Sequence, residues 1–155
     1  MSPVVVEPLS SHVGLVPVVK RWFEEEWPSY YGPGRTGSAA ADALAYSRPI
    51  GLPRGFVAFT GGQPCGFAAL KSESFPSHPD LAPWAGAAYV LPELRRRGIG
   101  GALLGAVEAE AAALGYTHVY CATGTSASLL RRAGWRMLEK VEHEGQNVDI
   151  YEKAL

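Results

Sequence analysis

Apolar positions in this chain recur with period two in some stretches and near 3.6 in others, which divides it into strands and helices. Pro3 to Glu7 is a short β-branched run and predicts an opening strand. Ser10 and Ser11 are candidate N-caps for a helix carrying Val13, Val16, Val19, Lys20 and Phe23, with Pro17 tolerated in its first turns. That helix ends acidic at Glu24, Glu25 and Glu26 and stops at Trp27-Pro28. Ser29 to Gly37 reads as a loop, and the alanine-rich Ser38 to Tyr46 as a second short helix. Phe56 to Phe59 and Gly66 to Leu70 flank Thr60-Gly61-Gly62-Gln63-Pro64, the pattern of a hairpin with a glycine turn.

Ser72 to Pro83 contains three prolines and reads as a loop. Trp84 to Leu91 is a strand rich in glycine and alanine, which suggests close packing or a ligand lying against its backbone. From Gly98 to Leu114 the pattern turns helical, with Ile99, Leu103, Ala106, Val107 and Leu114 near one stripe that Glu110 interrupts. Gly115 supplies its stop. Thr117 to Cys121 is another strand, and Ser126 to Arg132 a short helix closed by Gly134. Trp135 to Val141 and Asn147 to Lys153 alternate around His143-Glu144-Gly145-Gln146 as a closing hairpin. Strands alternating with helices and then a hairpin predict one mixed α/β sheet. With no repeat and no linker, residues 1–155 are expected to form a single domain.

Composition narrows the function classes. Hydrophobic residues make up 47% and charged residues 19%, ordinary for a soluble globular protein. A net charge of -1 gives no global basic field, so neither nucleic acid nor membrane is an expected partner. The two cysteines, Cys65 and Cys121, are too few for a disulfide framework and show no metal spacing. They are read as reduced thiols, in a cytoplasmic setting. The first residues lack the basic start and apolar core of a signal peptide, and no apolar run approaches the roughly 20 residues that span a bilayer.

The chemistry concentrates in Val90-Leu91-Pro92-Glu93-Leu94-Arg95-Arg96-Arg97-Gly98-Ile99-Gly100-Gly101. A strand runs into a turn bearing three arginines and three glycines, and a helix begins at once. A helix start exposes unpaired N–H groups and a partial positive charge, so it attracts anions. Glycines let those amides reach phosphate oxygens, and arginines add charge-assisted contacts. The dinucleotide fingerprint G-x-G-x-x-G fails because Leu103 occupies its third glycine position. A Gly-Lys-Ser/Thr tripeptide, required by a P-loop, does not occur. A phosphate or pyrophosphate site of another kind is left.

Arg95-x-x-Gly98-x-Gly100 resembles the R/Q-x-x-G-x-G/A signature of the GCN5-related N-acetyltransferase (GNAT) family. Tyr89-Val90-x-Pro92-Glu93 before it and Arg132-Ala133-Gly134-Trp135 after it also sit where that family has a strand with proline and an R/K-x-G-F/W segment. The resemblance implies a mostly antiparallel twisted sheet with a splayed parallel pair, flanked by helices, and acetyl-CoA as co-substrate without a metal. It implies that backbone groups around Tyr89 and Val90 pair with the pantetheine arm. Amides from Arg96 through Gly98, Ile99 and Gly100 to Gly101 would cradle the pyrophosphate, with Arg95 and Arg97 near its charge. The acetyl group would pass directly to a primary amine of a small molecule or peptide, in a monomer or homodimer.

Two positions depart from the family pattern. Leu130 stands where many relatives carry the tyrosine that protonates the departing thiolate, so that role does not transfer. Thr123 stands at an asparagine position and is a candidate to bind the pantetheine arm; Ser126, Ser128, Tyr120 or a water are the remaining acids. His118 aligns with a histidine that some relatives use as a base through water, but reads more readily as a half-buried strand residue with a satisfied hydrogen bond. Glu26, Trp27, Tyr30 and Tyr31 lie where relatives bind the acceptor, where carboxylates beside aromatics favour a cationic amine. The missing tyrosine also admits a non-catalytic acyl-CoA sensor, and an acyltransferase for another acyl-CoA is the second alternative.

Overall fold

In the computed structural model, which describes residues 2–155, the opening β-branched run forms strand β1 (Val4–Pro8). Two 3-10 turns, Leu9–Ser11 and Val13–Leu15, then precede helix α1 (Val16–Glu26), so the helix starts later than Ser10 and Ser11 suggest. Neither serine caps it. No side chain caps α1, and Pro17 sits in its first turn, where a missing N–H breaks no helical bond. The fully buried Leu9 pins the intervening turns to the core. The loop expected from Ser29 begins instead as a one-turn helix α2 (Pro28–Tyr31), with Tyr31 stacked on Phe23 of α1 at 5.7 Å. Helix α3 (Ala39–Ala45) follows, with the Ser38 hydroxyl accepting from the Ala41 amide at 3.1 Å.

The expected hairpin is strands β2 (Arg54–Thr60) and β3 (Gln63–Lys71). Its turn residues Gly61 and Gly62 both have positive φ, 57° and 78°, the geometry that matches the twist of paired strands. Strand β4 (Trp84–Val90), helix α4 (Ile99–Ala113), strand β5 (His118–Thr123), helix α5 (Ala127–Arg132) and strands β6 (Arg136–His143) and β7 (Gln146–Ala154) complete the chain. One seven-stranded sheet results, in the order β1-β2-β3-β4-β5-β7-β6. Every neighbouring pair is antiparallel except β4 and β5.

Both faces of β2 and β3 are covered, which explains their continuous apolar runs. Phe56, Ala58, Ala68 and Leu70 face α4, where they meet Ile99, Leu103 and Val107. Val57, Phe67 and Ala69 face α1 and α3, where they meet Val19, Trp22, Phe23 and Ala43. Glu110, which breaks the apolar stripe of α4, pairs with Arg54 at 2.9 Å. Gly66 of β3 lies beneath the first turns of α4. A Cβ there would come within 2.9 Å of the Tyr89 carbonyl and 3.1 Å of Leu103 Cδ1. Its bare backbone lets the helix start settle over the end of β4. Among the described residues, no helix is long and apolar enough to cross a membrane.

Candidate functional site

Strand β4 pairs with β5 at only two positions, Trp84 with Tyr120 and Ala85 with Cys121. Beyond them β4 is paired only with β3, and its far edge opens into a gap. The departure coincides with a bulge: Ala87 and Ala88 together oppose Ala68 of β3, and Ala87 takes a φ of 52°. Such a conformation costs a non-glycine residue on the order of 1–3 kcal/mol, and bulges leave ladder groups unpaired. Side chains here are small, so the backbone of Ala85 and Gly86 is reachable from both faces of the sheet.

A cleft of about 980 Å³ occupies the α4 face of the gap, bordered by β4 from Ala85 to Val90, the loop from Leu94 to Arg96, the start of α4 and residues of α5. Gly98 starts α4 with a φ of 87°, and no side chain caps the helix. The first helical bond here runs from the Ala102 amide to the Gly98 carbonyl at 3.1 Å. The amides of Ile99, Gly100 and Gly101 therefore have no partner within the helix. A Cβ on Gly101 would meet nothing within 4 Å, whereas one on Gly100 would touch Leu129 of α5 at 3.1 Å. The cradle is open at Gly101 and walled at Gly100. Arg96, at a φ of 65°, borders the cleft, and Arg97 is exposed beside it. Neither has an ion pair among the described residues. Uncapped amides, open space and two free guanidinium groups together fit a pyrophosphate.

Arg95 borders the same cleft, and its guanidinium is already engaged within the protein. Its Nε donates to the Val90 carbonyl at 2.8 Å, its other end meets Glu26 at 2.8 Å, and its guanidinium lies 5.7 Å from the Tyr89 ring. It ties the end of α1 to the end of β4. Tyr89 also stacks on Trp22 at 5.3 Å, so only its backbone remains for a ligand. Burial, and after it Glu25 and Glu26, raise the Tyr89 phenol above its ordinary range, with Arg95 acting against them. Thr123 holds the start of α5: its hydroxyl accepts from the amides of Thr125 at 3.1 Å and Ser126 at 2.7 Å. Arg132 and Ser128 of α5 border the cleft as well, bonded to each other at 3.1 Å. Cys121 faces the same cleft, and burial pushes its thiol up to about 12, opposed by the charge of Lys71.

A second cleft, of about 490 Å³, lies on the opposite face and shares Ala85 and Gly86 with the first. It is bordered by Tyr30, Asp42, Tyr46, Lys71, Glu73 and the loop to Pro76. Of the residues singled out for an acceptor, only Tyr30 is here. Glu26 borders the larger cleft, Trp27 packs against Phe23 at 5.7 Å, and Tyr31 donates to Asp42 at 2.6 Å. Burial, followed by the Asp42 contact, raises the Tyr31 phenol, and burial, Asp42 and Glu73 raise that of Tyr46. His118 opens β5, four residues before Ala122, the β5 residue of this cleft. At about 3.3 Å per residue it stands roughly 13 Å from that position. Its Nδ1 lies 3.0 Å from the Thr117 hydroxyl, and it borders neither cleft. Tyr120 packs on Trp84 at 5.6 Å and also borders neither. Leu130 is buried at 1% exposure among the α4-face apolar residues. Asp42, Lys71 and Glu73 were not distinguished by sequence. They come from α3, the end of β3 and the loop after it, and no local spacing links them.

The family model described as acetyltransferase (GNAT) family matches residues 19–135. No curated protein matches the sequence. Among solved structures, the fold is similar to an aminoglycoside 6'-N-acetyltransferase from Enterococcus faecium (13% identity, 97% of this chain and 96% of that one, TM-score 0.77). It is similar as well to a ribosomal-protein-alanine N-acetyltransferase from Brucella melitensis (16% identity, 97% and 99%, TM-score 0.75). A third is a phosphinothricin acetyltransferase from Sinorhizobium meliloti, solved in complex with acetyl-CoA (19% identity, 100% and 89%, TM-score 0.75).

Proposed function

The chain belongs to the acetyltransferase (GNAT) family, and we propose that it moves an acetyl group from acetyl-CoA directly to a primary amine of a small molecule or peptide. The observation that carries this reading is the meeting of two clefts at Ala85 and Gly86, one floored by an uncapped helix start and the other by carboxylates. Acetyl-CoA enters from the α4 face. The amides from Arg96 to Gly101, with Arg96 and Arg97 beside them, take its pyrophosphate. The open edge of β4 near Tyr89 and Val90 takes the pantetheine as an added strand. This brings the thioester to the gap beside the β4 bulge, whose extra residue leaves a ladder amide as a donor for its carbonyl oxygen. In this arrangement Arg95 positions the loop through Glu26, and Thr123 positions α5.

The amine comes from the other face. Asp42 and Glu73 attract a cationic acceptor, and Tyr30 and Tyr46 supply aromatic walls. A neutral amine at the gap then attacks the carbonyl carbon, and coenzyme A leaves. Holding both reactants in one geometry is the main contribution asked of the protein, since oriented reactants gain several kcal/mol over free encounter. Cys121, a neutral thiol by its raised pKa, is not needed as a nucleophile. The neighbours named for aminoglycosides, ribosomal-protein alanine and phosphinothricin support amine acetylation without selecting one acceptor.

A release assay for coenzyme A thiol, run with acetyl-CoA over aminoglycosides, polyamines, amino acids and peptides with a free N-terminus, tests the reading. Turnover with at least one amine, and N-acetyl product by mass spectrometry, is the expected result. One observation favours a second reading, an acyl-CoA sensor: Leu130 fills the position of the usual acid. A sensor binds acetyl-CoA saturably and releases no thiol across the panel.

A further inference from the structure

If the chain is the transferase proposed above, the departing thiolate needs a positive partner or a proton, and leucine at position 130 supplies neither. Of the side chains named from sequence as acids, Tyr120 is packed on Trp84 and borders neither cleft, and Ser126 and Ser128 border the cofactor cleft as neutral hydroxyls, which carry no positive charge for a thiolate. Lys71 is the cation that stands at the junction. It ends β3, paired in register with Trp84, and its side chain lies across Gly86. A Cβ on Gly86 would be 3.2 Å from Lys71 Cε and 3.5 Å from Nζ. Lys71 itself borders the acceptor-side cleft, and its ammonium lies beside Gly86, which both clefts share.

Two further observations point the same way. Asp42 and Glu73 border the same cleft, yet among the described residues Lys71 forms no ion pair and no side-chain hydrogen bond. Its charge also reaches the cofactor side, where it is the one influence that lowers the Cys121 thiol against burial. Cys121 sits opposite Ala85 at the last rung of the parallel pair.

We propose that the Lys71 ammonium receives the leaving sulfur of coenzyme A. The amine nitrogen forms a bond to the carbonyl carbon, the carbon–sulfur bond breaks, and its electron pair goes to sulfur. A proton from Nζ then gives the free thiol. The proton shed by the amine nitrogen reaches solvent, and Lys71 is reprotonated from solvent, so the overall exchange is amine and thioester for amide and thiol. The same charge favours the neutral form of a bound amine, because like charges disfavour a second ammonium nearby.

The test is steady-state kinetics of Lys71→Met and Lys71→Arg with an acceptor that turns over in the thiol-release panel, beside acetyl-CoA affinity by calorimetry. K71M is expected to lose about 100-fold in kcat, the lower range for a general acid, with acetyl-CoA affinity and acceptor KM within about threefold of wild type. K71R keeps the charge but holds its protons, and is expected to retain about a tenth of wild-type kcat. A K71M kcat within threefold of wild type overturns the proposal, as does a loss confined to acceptor KM, which makes Lys71 a binding residue. Should K71M not fold, full activity in K71R overturns it instead. Wild-type protein that binds acetyl-CoA and releases no thiol with any amine overturns the transferase reading together with this one.

Discussion

Gly101→Glu separates the cofactor cradle from the fold because the two respond to it in opposite directions. Gly101 is the third residue of α4, it is exposed, and a Cβ there meets no atom within 4 Å. Replacing glycine inside a helix gains about 0.5–1 kcal/mol from chain entropy alone. A carboxylate in the first turn adds about 0.3–1 kcal/mol through the helix dipole. The free protein should therefore be stabilised by about 1 kcal/mol, which raises Tm by about 2–4 °C for a chain of this size. Cofactor binding moves the other way. The new side chain fills the space above the unpaired amides and sets a negative charge at the proposed pyrophosphate position. Losing two charge-assisted hydrogen bonds at about 1.5–3 kcal/mol each weakens binding by at least about 100-fold, at 1.4 kcal/mol per tenfold. Thermal scanning fluorimetry and calorimetry with coenzyme A read the two quantities on one sample. A raised Tm with coenzyme A affinity within fivefold of wild type shows that the phosphates are held elsewhere. A Tm lowered by several degrees shows that Gly101 is not open, and the geometric reasoning fails.

Three further outcomes are expected. Thr123→Val removes the acceptor shared by two amides at the start of α5, so it should cost about 1 kcal/mol, seen as a Tm lower by about 2–4 °C, while Thr123→Ser stays near wild type; equal Tm values for all three proteins refute the capping role. With its thiol pushed up to about 12, Cys121 carries roughly 1 thiolate in 10⁴ at pH 8. Alkylation of Cys121 by iodoacetamide, followed by mass spectrometry, should be about 10³-fold slower than for a free thiol and rise tenfold per pH unit between pH 8 and pH 11; a rate matching the free thiol shows that the cleft solvates this half-buried side chain. His118→Ala should leave both kcat/KM and its pH profile within twofold of wild type, since the ring borders neither cleft, and a shifted acidic limb would return His118 to the chemistry.

Features with a local cause were readable in the chain. The two glycine turns and their flanking alternation specify the hairpins of β2 with β3 and β6 with β7, because turn geometry and strand register are set by adjacent residues. The same holds for the start of α4, where strand, arginines, glycines and helix occupy one continuous stretch. Glu26 shows the other case. Beside Trp27, Tyr30 and Tyr31 it reads as part of an acceptor site, yet its partner is Arg95, 69 residues away, on the cofactor side. The second cleft is hidden for the same reason, since Asp42, Lys71 and Glu73 meet only after α3 has packed on α1 and β3 has paired with β4. The late start of α1 was obscured by serines that look like caps, whereas the burial of Leu9 decides it.

The run of small residues from Ala85 to Ala88 answers two demands at once. A parallel pair held by two rungs cannot close over the gap, so β4 must keep its shape through β3 alone, and the bulge at Ala87 is where that one-sided pairing bends. A wide side chain on the α4 face would stand where the pantetheine arm is proposed to lie against the backbone, and one on the opposite face would displace Lys71 from Gly86. Alanine and glycine weaken the strand as a packing element. Dense apolar cover on both faces of β2 and β3 offsets that weakness, with α4 on one side and α1 with α3 on the other. The thin strand therefore depends on its thickly packed neighbour β3, which holds it in place while one length of its backbone is left to both clefts.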